Sequence, residues 1–142
     1  MRIQIELSPR SKPTLDKIYS TDKRIQQQVQ QTFNKIGNTL VRKARNQMAL
    51  SPATGRRYFY KGQLHIASSP FKAPRNLSGA LSKGIASDAS SDSMRFGHTI
   101  SYGLFLEKGT KKMYPRPVLK NTLNSKLTYI QNTLDVNIGK IL

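Results

Sequence analysis

The chain has 142 residues, no cysteine, and 24 Lys and Arg against seven Asp and Glu, for a net charge of +17. That length bounds it to one domain, and the absence of cysteine excludes disulfides and thiolate metal sites. A charge this large calls for polyanions or acidic protein surfaces as partners. Hydrophobic residues make up 37%, a modest supply for a core. It suits a subunit that buries surface against neighbours, and equally a small domain with long polar loops. The bases are spread along the whole chain, so a folded basic surface is expected rather than a charged tail. The N-terminus lacks an apolar signal core, and no apolar run approaches membrane-spanning length. The expectation is a soluble protein made in a cytosol, with no membrane partner.

Residues 1–7 alternate Met1, Ile3, Ile5 and Leu7 against Arg2, Gln4 and Glu6, which predicts a half-buried strand. Residues 8–20, with Pro9 and Pro13, read as an irregular connection. Thr21 and Asp22 are helix-start signals. From there Ile25, Val29, Phe33, Ile36, Leu40, Ala44 and Met48 recur every three or four residues, predicting a helix of about seven turns that Ser51-Pro52 stops. Gly37 inside it costs ~1 kcal/mol relative to Ala.

Arg56 to Tyr60 and Gln63 to Ala67 flank Lys61-Gly62 and predict a hairpin. Residues 68–75 read as extended loop, and Asn76 or Ser78 can cap a short helix over 79–83. Ile85 to Ala89 and Met94 to Ile100 read as two strands around a Ser-Ser-Asp-Ser tip. Tyr102 to Lys108 reads as a short helix or turn. A last helix is predicted from Pro117, whose missing N–H suits a first helical position. Its stripe is Leu119, Leu123, Leu127, Ile130, Leu134, Ile138 and Ile141. Two long amphipathic helices and a small antiparallel sheet with an extended hairpin make an α+β domain.

Chemistry-bearing patterns are few. His65 and His98 fall in predicted strands with no acid close in sequence and read as surface or sheet-packing residues. Asp88 and Asp92 flank a serine-rich tip and are too sparse for a cation loop. No phosphate-binding glycine loop is present. Nothing points to an enzyme, a cofactor, a metal or a small-molecule substrate. The strongest nucleic-acid candidate is Arg56 to Lys61, where Arg56, Arg57 and Lys61 can meet phosphates and Tyr58, Phe59 and Tyr60 can stack on bases. The bland reading packs those rings on the domain itself or on a neighbouring subunit, and it is the one favoured here.

The densest stretch is 101–123. Tyr102 to Leu106 lead into Glu107, then the turn Gly109-Thr110, the pair Lys111-Lys112, and Arg116 held between Pro115 and Pro117. Gly109 suits a left-handed backbone, and the two prolines present Arg116 on a stiff strut. This order of residues, from Tyr102 through Glu107, Gly109 and Thr110 to Arg116, Pro117 and Leu119, resembles a pattern in the head–tail joining proteins of tailed bacteriophages, also called neck, minor tail or tail-completion proteins. A second segment, at 73–85, is similar to the family's Arg/Thr-Gly-Asn-Leu-x-x-Ser-Ile element, although here Asn76 and Leu77 precede Ser78-Gly79-Ala80-Leu81. The resemblance spans roughly residues 21–142.

It implies an α+β fold and a virion structural role, with assembly in the host cytoplasm. The implied assembly is a homo-oligomeric ring, a hexamer among the candidates, around the DNA channel and between adjacent neck and tail proteins. It also implies that Asn76, Leu77, Ser78, Tyr102, Glu107, Gly109, Thr110, Arg116 and Pro117 serve subunit or partner interfaces. Arg56, Arg57, Lys61, Lys72, Lys111 and Lys112 would then touch channel DNA, without reading sequence, or an acidic partner. Glu107, alone among cations, is expected to pair with Arg116 within or between subunits, so that Glu107→Lys would block assembly and leave the monomer folded. The competing reading is a non-specific nucleic-acid-binding protein of a mobile element.

Overall fold

A 27-residue helix, α1 (Lys23–Ala49), is the spine of the computed structural model, which describes residues 1–6, 13, 16–17 and 22–140. Asp22 caps it by accepting from the Arg24 N–H at 2.9 Å; Thr21, the other start signal, lies outside the described residues. The expected stripe faces inward. Val29, Phe33, Ile36, Leu40, Ala44 and Met48 are all buried, and Ile25 packs at the edge.

Opposite α1 lies a three-stranded antiparallel sheet in the order β1 (Arg2–Glu6), β5 (Ser93–His98), β4 (Ile85–Ala89). Register follows the pleat. Met94 and Phe96 of the central strand pair with Ile5 and Ile3 on one side and with Ala89 and Ser87 on the other. Arg95 points to the opposite face between Gln4 and Asp88. Leu7, expected at the end of β1, lies outside the described residues. Of the connection over 8–20, Pro13, Asp16 and Lys17 are described and all three are helical, against the irregular backbone expected. Proline's fixed φ is compatible with a helix. The strand expected to reach Ile100 ends at His98, because the Thr99 N–H turns to the Gly84 carbonyl at 2.7 Å and the Ile100 carbonyl takes the Gly103 N–H at 3.1 Å.

The remaining elements are a separate two-stranded hairpin, β2 (Arg57–Tyr60) and β3 (Gln63–Ile66), and the helices α2 (Ala80–Lys83), α3 (Gly103–Lys108) and α4 (Leu119–Gly139). Lys61 and Gly62 both have positive φ, 51° and 76°, the backbone of a two-residue turn matched to strand twist. The architecture is therefore α+β, with α1 packed on β4, β5 and α4.

Helix α4 departs from its expected pattern in two ways. It starts at Leu119, two residues after Pro117, whose carbonyl instead accepts from the Asn121 side chain at 2.8 Å. Leu127 is 54% exposed, while Thr122 and Thr133 take core positions. Each threonine satisfies its hydroxyl by a hydrogen bond: Thr122 donates to Gln47 Oε1 at 3.2 Å and Thr133 to the Tyr129 carbonyl at 2.7 Å. A polar residue with its hydrogen bond made can occupy a buried helical position that a leucine-only count overlooks. Ile141 lies outside the described residues.

Gly37 does more than weaken α1. A Cβ there would stand 2.6 Å from Ser87 Oγ and 2.8 Å from its Cβ, so the glycine lets the helix approach β4. Gly37→Ala gains ~1 kcal/mol of helix propensity but is expected to lose more through overpacking, for a net destabilisation of about 1–2 kcal/mol, readable in urea unfolding. A more stable variant would show that the helix does not bear on β4 at this point.

Candidate functional site: a basic, aromatic cleft anchored on a buried glutamate

Glu107 ends up inside the molecule. It projects from α3 under the start of α4, where its Oε1 accepts from the N–H groups of Val118 and Leu119, both at 2.7 Å, and Oε2 from Lys120 at 3.5 Å. A helix leaves its first N–H groups without internal partners, and a carboxylate there both satisfies them and suits the positive end of the helix dipole. The pairing with Arg116 expected within or between subunits is not formed within the chain. Arg116 Nε donates to the Ser68 carbonyl at 3.1 Å instead. Nor is Glu107 an exposed interface residue. Glu107→Lys would replace the acceptor of three backbone N–H groups with a buried cation, so the monomer is expected to unfold rather than remain folded and fail to assemble.

His98 also departs from its expected isolation. The two elements bring its Nε2 to 3.4 Å from Glu107 Oε1, with both side chains buried. The close approach requires Gly103, since a Cβ there would lie 2.5 Å from the imidazole Cγ. An ionised Glu107 accepts from Nε2–H, leaving Nδ1 a buried nitrogen with no hydrogen-bond partner. No hydroxyl is poised on that nitrogen. Burial pushes the Glu107 pKa up, but the hydrogen bonds from His98, Leu119, Val118 and Lys120 outweigh it, so the group titrates below the ordinary glutamate value.

After α3 the chain reverses at Gly109, with φ 76°, where a Cβ would meet the Met113 carbonyl at 2.8 Å. Thr110 and Met113 exchange backbone hydrogen bonds, and Thr110 Oγ1 accepts from the Lys112 N–H at 3.2 Å. The 114–117 strut returns alongside α3 through Arg116 N–H to Leu106 carbonyl at 2.7 Å, and it takes the Phe71 N–H on the Pro115 carbonyl at 2.8 Å. Strut, loop 68–79 and hairpin enclose a cleft of about 1110 Å³.

Of the residues singled out from sequence, Asn76, Leu77, Ser78, Tyr102, Arg116, Arg56 and Lys112 line this cleft. Gly109, Thr110 and Pro117 are not among its lining residues. Arg57, Lys61, Lys72 and Lys111 are exposed outside it, with Lys61 Nζ 5.5 Å from the Tyr60 ring centre. Tyr58, Phe59 and Tyr60 do not pack on the domain's own core, contrary to one half of the favoured reading: all four residues of β2 are exposed. A two-stranded ribbon with no third strand has no core of its own to bury rings against. Among the lining residues not singled out from sequence are His65, Ser68, Tyr114 and Arg75. The signal for Arg75 was present, since Pro74-Arg75 repeats the Pro115-Arg116 pair.

No protein-family model matches the chain, and no curated protein or solved structure does so either.

Because the folded pKa of Glu107 is lowered, its contribution is full above the unfolded glutamate value of about 4.3 and is lost as pH falls through the folded value. Glu107→Gln is expected to destabilise the protein by about 1–3 kcal/mol at neutral pH. The gap between wild type and variant in denaturant unfolding should close as the pH is taken below about 4.3. A gap that stays constant through that acid range would mean the charge on Glu107 does not hold α4.

Proposed function

We propose that the chain is a virion structural protein of a tailed phage, a neck, tail-terminator or tail-completion subunit that assembles as a ring at the head–tail junction. The observation that carries this reading is the outer face of the hairpin. Phe59 and Leu64 stand directly opposite each other in the register and are 77% and 53% exposed. An isolated two-stranded hairpin is marginal in water, and an uncovered aromatic–aliphatic pair on it costs further. Covering the pair with a sister subunit would contribute roughly 1.5–3 kcal/mol per side chain fully buried. Repeated at each interface of a closed ring, that contribution offsets part of the roughly 4–15 kcal/mol that association costs, the remainder falling to the rest of the interface.

Two further features support the reading. Tyr102, Glu107, Gly109, Thr110, Arg116 and Pro117 keep the order of the head–tail joining pattern, and in this fold all six belong to one rigid turn around α3 and the start of α4. The net charge of +17 suits a body lodged between a DNA channel and acidic neighbouring rings. Charge of one sign also repels sister subunits, so apolar contacts such as Phe59–Leu64 are where cohesion must come from. Dispensability for joining heads to tails would remove the assignment.

Phe59→Ser with Leu64→Ser should leave helix content unchanged, because neither residue touches the buried core. In light scattering the wild type should form a defined multiple of its 16.0 kDa mass and the double variant should remain a monomer. In a null mutant of the producing phage, the double variant should leave heads and tails unjoined. A double variant that assembles and joins like the wild type contradicts the role given to this face.

A further inference from the structure

The inner face of the same hairpin is chemically different from the outer one. Tyr58 and Tyr60 flank His65, with ring centres 5.8 and 6.0 Å from the imidazole, and all three line the cleft. The two tyrosines are 38% and 46% exposed, so a ring face of each is open to a ligand. Facing them are guanidinium groups set by two Pro-Arg pairs. Arg75 Nη1 donates to the Ile66 carbonyl at 2.8 Å, and Arg116 Nε donates to the Ser68 carbonyl at 3.1 Å. One anchoring bond fixes each fork while leaving most of its five N–H donors unused.

Arg56 and Lys112 complete the basic lining. No carboxylate lines the cleft, and none of these four cations is ion-paired among the described residues. A concave surface of one sign, with no internal counter-charge, concentrates anions. Ser68 on the same wall has a buried hydroxyl with no hydrogen-bond partner.

We propose that this cleft binds single-stranded nucleic acid, with Arg75 and Arg116 on backbone phosphates and unpaired bases stacked on Tyr58 and Tyr60. Fixed guanidinium forks match phosphate oxygens, and open aromatic faces take bases of any identity. Duplex DNA offers phosphates but keeps its base faces inside the stack. An acidic peptide offers carboxylates but no succession of planar faces for the tyrosines. The volume exceeds the ~300–1,000 Å³ that encloses one drug-sized ligand, room for more than a single nucleotide. Such a site operates in a monomer as well as in a ring, and it leaves Phe59 and Leu64 free for subunit contacts.

A chain this basic binds any polyanion to some extent, so the test must read stacking. Fluorescence anisotropy of the full chain would use a labelled oligothymidylate of about ten nucleotides. Competitors would be an abasic strand with the same phosphates, a duplex of the same length, and oligoglutamate. The oligothymidylate is expected to bind at least about tenfold tighter than the abasic strand. Tyr58→Leu with Tyr60→Leu, which keeps an apolar strand, should abolish that preference and leave abasic binding unchanged, a loss of about 5- to 150-fold per base released. Arg75→Gln with Arg116→Gln should weaken both strands and flatten the salt dependence by roughly two phosphate contacts. Equal affinity for the abasic strand, tighter binding of the duplex or of oligoglutamate, or an unchanged tyrosine variant would each overturn the proposal.

Discussion

The carboxylate of Glu107 beneath the first turn of α4 is the interaction on which the rest of the site depends. Three N–H groups of α4 have it as their acceptor, and α3 is thereby tied to the helix that closes the core against α1. Everything between the two helices is then over-determined. The reversal at Gly109 has one way to close, the Arg116 N–H finds Leu106, and the Pro115 carbonyl reaches across to Phe71. Through those last two bonds, and through the Arg116 side chain on Ser68, the position of the hairpin's foot is set by a glutamate on the far side of the turn. A buried acceptor that serves several donors at once is costly to lose, because each donor is left without water or partner.

Long elements were legible because their signal is local and repeated. The stripe from Val29 to Met48 could face only one way, and the alternation through Ile3 and Ile5 could make only a half-covered edge strand. Lys61-Gly62 between two aromatic or β-branched runs left little choice but a tight hairpin. What could not be read was chemistry made by distant residues. A helix cap is sought within a residue or two of the helix start, and Glu107 lies eleven residues before Val118. With the cap supplied from α3, Pro117 was not needed as a first helical residue. His98 and Glu107 meet only because a glycine at 103 lets α3 lie on the imidazole. Counting apolar residues also hid the buried threonines of α4, whose hydroxyls are satisfied by a neighbouring carbonyl or by Gln47. The cleft was half visible: Arg116 stood out between prolines, while its counterpart Arg75, in the same dipeptide, passed as loop.

The hairpin joins the two functional proposals without confusing them. Period-two alternation places Tyr58, Tyr60 and His65 on one face and Phe59 and Leu64 on the other, so one ribbon can present a ligand wall and an assembly surface. Among the described residues none of the cleft's cations is held in an internal ion pair, which leaves their charge for outside partners. Repulsion between like-charged subunits falls when a polyanion is present. Under the two proposals, assembly around a nucleic acid and cohesion through apolar contacts would reinforce each other, and high salt should weaken the first far more than the second.

The most direct measurement of the structural role is the number of copies per particle, by quantitative mass spectrometry of density-purified, salt-washed particles from the producing culture. A small, fixed copy number that survives the wash is the predicted result, as for a symmetric ring in the neck or tail. Absence from the particles, with the protein abundant in the lysate, would contradict it and leave a nucleic-acid-binding or assembly factor in its place.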